Sequence, residues 1–269
     1  MTAAMINRMK NKFRKNWIMS GPAVLAGEAG IVLFSYACSA SRGETSNLHV
    51  FDITTPQELK DFFRYTEDHL PIVSTHRGGA KEGYPENALA TFEHTLRHTW
   101  SIMEVDPRYT KDSVIVLFHD RTLDRTSTGQ GNVSDYTYSE LMELKLKDTE
   151  GNVTDYTIPT LAEALEWARG KTVLVLDQKD VPVEERVRMV QEHQAKTSAI
   201  VMAYSLRDAQ RIYELDPDIM MQVFMPDEEA VARFDASGVP WENIIAFVTH
   251  KPLNEEFKRT FRLINEKGA

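Results

Sequence analysis

From residue 72 onward, short apolar runs recur along the chain, separated by segments with helical spacing. Ile72 to Thr75, Ile102 to Asp106, Val114 to Phe118, Thr172 to Leu176, Ala199 to Ala203, Met220 to Phe224 and Ile244 to Val248 read as strands. Thr172 to Leu176 is a continuous apolar run, as a parallel strand covered on both faces requires. Between these runs, Leu89, Phe92, Leu96 and Trp100 put one apolar face on a helix expected over Glu86 to Trp100. Thr55-Pro56-Gln57-Glu58, Thr137 to Glu140 and Thr160 to Glu163 each place a hydroxyl three residues before a Glu, the reciprocal capping signature of a helix start. The first of these helices is expected to reach about His69, and Gly170 stops the third. Val183 to Gln194, Leu206 to Glu214, Glu228 to Phe234 and Asn254 to Glu266 read as further helices.

Seven strands alternating with helices predict an α/β fold, either a TIM-type (β/α) barrel or a doubly wound sheet. The sequence stops after the helix-like Asn254 to Glu266. A barrel is therefore expected to be incomplete at its C-terminal end. The length of 269 residues suits one large domain of this kind. A net charge of −9 argues against a nonspecific nucleic-acid binder, which needs a cationic surface. A single cysteine excludes an intrachain disulfide.

The N-terminal stretch departs from this pattern. Arg8, Lys10, Lys12, Arg14 and Lys15 precede apolar runs such as Ile31 to Phe34, the plan of an export signal. Cys38 ends it in Ser35-Tyr36-Ala37-Cys38-Ser39, which resembles a bacterial lipoprotein box. Residues 1–38 are thus expected to be an export signal and 39–50 a polar tether, with the barrel over 51–269. The expected location is outside the cytoplasm, periplasmic or anchored to a membrane through lipid on Cys38. Nothing in the sequence indicates an oligomeric state.

Polar residues concentrate where the expected strands end. His76-Arg77-Gly78-Gly79 follows the first strand, Glu104-Val105-Asp106 closes the second and His119-Asp120 follows the third. Asp177-Gln178-Lys179 follows Val173 to Leu176, and Pro85-Glu86-Asn87 opens a helix. At one end of a barrel Glu104, Asp106 and Asp177 would converge, and three confined carboxylates call for a cation. All-oxygen ligands suit Mg2+ or Ca2+. His76 and His119 can serve as acid and base near neutral pH. Arg77 and Lys179 offer fixed positive charge to a phosphate oxygen. No Gly-x-Ser-x-Gly elbow supports a serine hydrolase.

In order along the chain, His76-Arg77-Gly78, Pro85-Glu86-Asn87, Glu104-Val105-Asp106, His119-Asp120 and Arg125-Thr126-Ser127-Thr128-Gly129 resemble the motifs of the glycerophosphodiester phosphodiesterase family. Pro159-Thr160-Leu161 and Glu163 match a further helix start of that family. The resemblance implies a barrel that hydrolyses glycerophosphodiesters to glycerol 3-phosphate and an alcohol. It implies His76 and His119 as the acid/base pair, Glu104, Asp106 and Asp177 as ligands of the divalent metal, and Arg77 and Lys179 as holders of the phosphate. Glu86 and Asn87 carry over as site-shaping residues. The third metal ligand is usually Glu in the family and is Asp177 here. Alternatives are a lysophospholipase D-like enzyme acting on lysophospholipids or phosphoinositide-derived diesters, and a membrane-tethered barrel inactive through its missing end.

Overall fold

In the computed structural model, which describes residues 47–67, 71–248 and 254–269, six short strands line up side by side and all run the same way. They are β1 (Val73–Thr75), β2 (Ser101–Val105), β5 (Leu174–Leu176), β6 (Ala199–Ala203), β7 (Met220–Phe224) and β8 (Ile244–Phe247). Each hydrogen-bonds the next in that order, in parallel. Helices alternate with them: α2 (Leu89–His98) after β1, α4 (Leu161–Ala168) before β5, α5 (Val183–Glu192), α6 (Leu206–Leu215), α7 (Glu228–Asp235) and α8 (Glu255–Glu266). Among the described residues β1 and β8 do not pair with each other. The architecture is an incomplete TIM-type barrel. The expected export signal with Cys38, and the tether up to residue 46, lie outside the described residues.

The caps follow the sequence pattern. Thr55 Oγ1 accepts from the Glu58 N–H at 3.1 Å and starts α1 (Pro56–Phe63). Thr137 and Thr160 form capping boxes with Glu140 and Glu163 at the starts of α3 (Tyr138–Leu141) and α4. Helix α1 ends at Phe63, short of the expected His69, which is not described.

One expected strand lies elsewhere. Val114 to Phe118 forms β4 (Ile115–Leu117), which pairs antiparallel with β3 (Pro107–Tyr109), apart from the parallel sheet. The reason is chain length: a parallel return needs a crossover of a dozen or more residues. Only residues 110–114 separate β3 from β4, enough for a hairpin alone. This hairpin and the loops after it bury a small core of their own, including Val116, Phe118, Leu123, Leu141 and Ile158.

The two faces of the parallel sheet carry different cores. The outward face packs Met103, Val105, Leu174, Leu176, Val201 and Met221 against the helices. The inward face packs Ile102, Val175, Ile200 and Met220 against Ile53 and Leu59. Helix α1 thereby plugs the N-terminal end of the barrel. Its Lys60, buried by the plug, donates to Asn243 Oδ1 at 3.1 Å and to the Pro217 carbonyl at 3.3 Å. The C-terminal end, where the polar motifs sit, is left open.

Candidate active site

Three successive left-handed residues shape the turn after β1: Arg77 (φ 54°), Gly78 (φ 82°) and Gly79 (φ 92°). Side chains rarely adopt this region, so the two glycines carry most of the turn. Space is restricted as well, since a Cβ on Gly78 would lie 2.2 Å from the Phe92 ring. The turn aims the Arg77 N–H at Glu104 Oε2, 2.8 Å away. It also aims the Arg77 carbonyl at the Asn87 N–H, 3.0 Å away. Asn87 is left-handed too (φ 59°), so α2 starts at Leu89, after the expected Glu86. Freed from the helix, the Asn87 amide brackets Asp106: Nδ2 donates to Oδ2 at 2.6 Å, and Oδ1 accepts from the Asp106 N–H at 3.1 Å.

Parallel pairing then gathers the carboxylates. Glu104 lies opposite Val175 across β2 and β5, and the Asp177 N–H bonds the Val105 carbonyl at 3.0 Å. Ligand oxygens of Glu104, Asp106 and Asp177 fall within 4.8 Å of one another. Burial, reinforced by the charge of Asp106, pushes the Glu104 carboxyl up to about 8. Burial would raise Asp177 too, but its hydrogen bonds from Lys179 and Tyr204 carry it below the usual carboxylate range. Lys179 pairs with Asp177, and its Nζ lies 3.0 Å from Asp106 Oδ1.

A divalent cation fits this site. Asp106 Oδ1 is buried, and the Lys179 ammonium 3.0 Å away leaves it lone pairs for a further cation. The donor set is all oxygen, which suits Mg2+ or Ca2+. A proton retained on Glu104 signals excess negative charge. Close by, Arg77 Nε is a buried donor without a partner, 3.9 Å from Asp106 Oδ2.

The two histidines flank the cluster differently. His76, one residue beyond β1, places Nε2 3.9 Å from Glu104 Oε2. Partial burial and the neighbouring Arg77 charge lower its pKa. His119 is braced. Its Nδ1 lies 2.7 Å from Asp120 Oδ1, and Arg125 grips the same carboxylate at 2.6 and 2.8 Å. That grip, with the His119 bond, holds Asp120 far below the usual carboxylate range. An ionised Asp120 only accepts, so Nδ1 is the donor and Nε2 is free for chemistry. Arg125 continues to Glu86 at 2.8 and 3.1 Å, and Glu86 accepts from Arg77 Nη1 at 2.9 Å. An unbroken ion-pair chain thus links the surroundings of both imidazoles.

All nine residues expected at the site meet at this end of the sheet. Arg77 and Lys179, expected to hold phosphate, are both engaged by carboxylates. Other contributors were not singled out from sequence. Arg108 clamps the His119 carbonyl with Nε (2.9 Å) and Nη2 (2.7 Å), while its Nη1 holds Asp180 at 3.0 Å. Tyr204 donates its hydroxyl to Asp177 Oδ1. Arg186, fully buried on α5, donates through Nη1 to the carbonyls of Leu176 (3.2 Å) and Met202 (2.8 Å), tying the ends of β5 and β6 together. Arg108 and Arg186 carry no local signal, because what they hold is backbone distant in sequence. Tyr204 had one: it directly follows an apolar strand, as Asp177 does.

Residues 76–266 match the model of the glycerophosphoryl diester phosphodiesterase family. The chain belongs to that family. Among solved members, a glycerophosphoryl diester phosphodiesterase from Parabacteroides distasonis is 45% identical, with a TM-score of 0.81 over 82% of this chain and 78% of that one. A glycerophosphodiester phosphodiesterase of Caldanaerobacter subterraneus is 33% identical over 153 residues, covering 52% of this chain and 62% of that protein. The chain thus spans just under two thirds of that curated relative's length. A phosphodiesterase from Oleispira antarctica, solved with the product sn-glycerol-3-phosphate, shares the fold at 22% identity and a TM-score of 0.51, over 73% of this chain and 90% of that one.

Proposed function

We propose that this protein hydrolyses glycerophosphodiesters to sn-glycerol 3-phosphate and an alcohol, using His119 and His76 as acid and base beside a metal site of Glu104, Asp106 and Asp177. The observation that carries this reading is the carboxylate cluster set between two imidazoles, with the buried, unpartnered Arg77 Nε 3.9 Å from Asp106 Oδ2. Membership of the family supports it, as do the activity in the relatives' names and the product held by the Oleispira antarctica enzyme.

A bound Mg2+ or Ca2+ would supply positive charge to a phosphate oxygen. Arg77, anchored through Glu86, presents its unpartnered Nε as a donor to the same phosphate. Lys179 balances Asp106 and Asp177, so its ammonium serves the phosphate by keeping those carboxylates in place. His119 is the acid. Asp120 accepts from Nδ1 and orients the ring, which leaves Nε2–H to protonate the departing alcohol oxygen. His76 has no such carboxylate hydrogen bond and a lowered pKa, so it takes the proton of the attacking water or neighbouring glycerol hydroxyl. A positioned acid or base of this kind contributes about 10²–10⁴-fold.

The test is release of glycerol 3-phosphate from glycerophosphocholine and glycerophosphoethanolamine, with and without EDTA. Loss in His76→Ala and in His119→Ala with an intact fold is expected. Undiminished turnover in both variants overturns the assignment. We further propose that the basic, apolar leader ending at Cys38 directs export and lipid anchoring. The mass of the mature N-terminus tests this, and an unprocessed Met1 counts against it.

A further inference from the structure

Along the inward face of the sheet, side chains from neighbouring strands stand in rows. Glu104, Val175, Ile200 and Met220 form one row, each opposite the next. One step nearer the open end, Met202, Gln222 and Ile245 are opposite each other, and the register carried past the ends of β2 and β5 adds Asp106 and Asp177. The outermost row is aromatic. Phe224 lies opposite Phe247, and the pairing of Ala203 with Val223 carried one residue further sets Tyr204 beside Phe224. The Phe224 and Phe247 ring centroids are 6.1 Å apart at 45°. Both rings are half-buried, and Tyr204 is 46% exposed. The bond from Tyr204 to Asp177 fixes this row directly against the carboxylate cluster.

A glycerophosphodiester carries two arms on its phosphate. The side of the site built from β1, β2 and β5 is rich in hydrogen-bonding groups, which suits the hydroxyls of glycerol. The side built from β6, β7 and β8 offers π faces. Its one phenolic O–H is already given to Asp177, and Lys179, three residues beyond the end of β5, is held by Asp106 and Asp177. A primary ammonium asks for three hydrogen-bond acceptors, which rings do not supply and for which Gln222, one row deeper, offers a single amide oxygen. An acyl chain asks for a long apolar trough, whereas this wall is three rings wide and one row deep. Aromatic faces beside concentrated negative charge match a weakly hydrated cation with no donors, the quaternary ammonium.

We propose that Tyr204, Phe224 and Phe247 form a subsite for the trimethylammonium group of a choline-type leaving alcohol. The proposal rests on the phosphodiesterase reading above and names the substrate class of that site.

The test compares kcat/KM for glycerophosphocholine and glycerophosphoglycerol in the wild type and in Phe224→Leu, Phe247→Leu and Phe224→Tyr. Leucine keeps an apolar side chain and removes the π face, whereas tyrosine keeps the face. The ratio of the two kcat/KM values should fall about 3- to 30-fold in each leucine variant, through KM, and should be retained in Phe224→Tyr. An unchanged ratio in both leucine variants overturns the subsite, and so does an equal fall in Phe224→Tyr. Calorimetric binding of the same two compounds to each variant reads the subsite without turnover. If no diester is hydrolysed but glycerophosphocholine binds preferentially and loses that preference in the leucine variants, the subsite stands and the phosphodiesterase reading fails. If diesters turn over with no choline preference in rate or binding, the reverse holds.

Discussion

The two sides of the open barrel end are built on the same parallel ladder to opposite effect. From β1, β2 and β5 come His76, Glu104, Asp106 and Asp177, bound together by ion pairs and short hydrogen bonds. From β6, β7 and β8 come Tyr204, Phe224 and Phe247, of which Tyr204 reaches the carboxylates through its phenol. The charged side is rigid because nearly every donor has an acceptor, and its few orphaned atoms are where ligands are expected. The aromatic side has little to satisfy and can select by shape and polarisability. On the proposed reading, chemistry and choice of substrate are separated by strand, and each can be perturbed while the other is read.

The largest expected effect comes from the charged side. His119→Ala should lower kcat by about 10²–10⁴-fold for every diester alike, in contrast to the selectivity change expected at Phe224. A loss confined to choline substrates would erase the distinction between the sides. Asp120→Asn removes the charged acceptor that orients His119 while sparing its shape, and a drop of about 10- to 100-fold in kcat is expected, by analogy with carboxylates that orient histidine ligands. The acidic Asp120 pKa also has a thermodynamic sign. The folded state holds its proton less tightly than the unfolded chain, so Asp120 stabilises the fold above its ordinary value, and this contribution fades as pH falls through its depressed one. Acid unfolding of Asp120→Asn should therefore begin from a lower plateau and slope less, as followed by circular dichroism between about pH 5 and 2.

Glu104 has the opposite sign. Its carboxyl keeps a proton to about pH 8 in the fold, against an ordinary value of 4.5. Without a cation, stability should decline as pH climbs through that window. Added Mg2+ or Ca2+ should accordingly raise Tm more at pH 8 than at pH 5. An equal rise at both pH values would show that the cation does not meet the Glu104 charge. Smallest of all, Arg108→Lys should cost a few-fold in kcat with little change in KM, because a lysine cannot grip the His119 carbonyl with two parallel donors.

The two sides also differ in how much of them a linear reading reveals. His76, Glu104 and Asp177 are legible because each sits at a parallel-strand end inside a short polar motif, and in a barrel those ends converge. His119 follows the β3–β4 hairpin and joins them because the Phe118 N–H bonds the Asp106 carbonyl at 2.8 Å. Asn87 was legible as a residue of interest but was expected to open a helix. Its left-handed backbone, and with it the bracket on Asp106, depends on a tertiary contact with the Arg77 carbonyl. The strand Val114 to Phe118 had the right composition and the wrong partner, because an apolar run says nothing about whether the chain has room for a crossover. The aromatic row is invisible in one dimension. Tyr204, Phe224 and Phe247 belong together only through the pairing of β6 with β7 and of β7 with β8, and no local spacing encodes that register.

The Phe92 ring, packed where Gly78 has no side chain, locks the turn after β1 to helix α2. A larger residue at position 78 is admissible only if position 92 shrinks at the same time. The two positions should therefore exchange volume across relatives, a correlated trace of the turn written into a helix ten residues further along the chain.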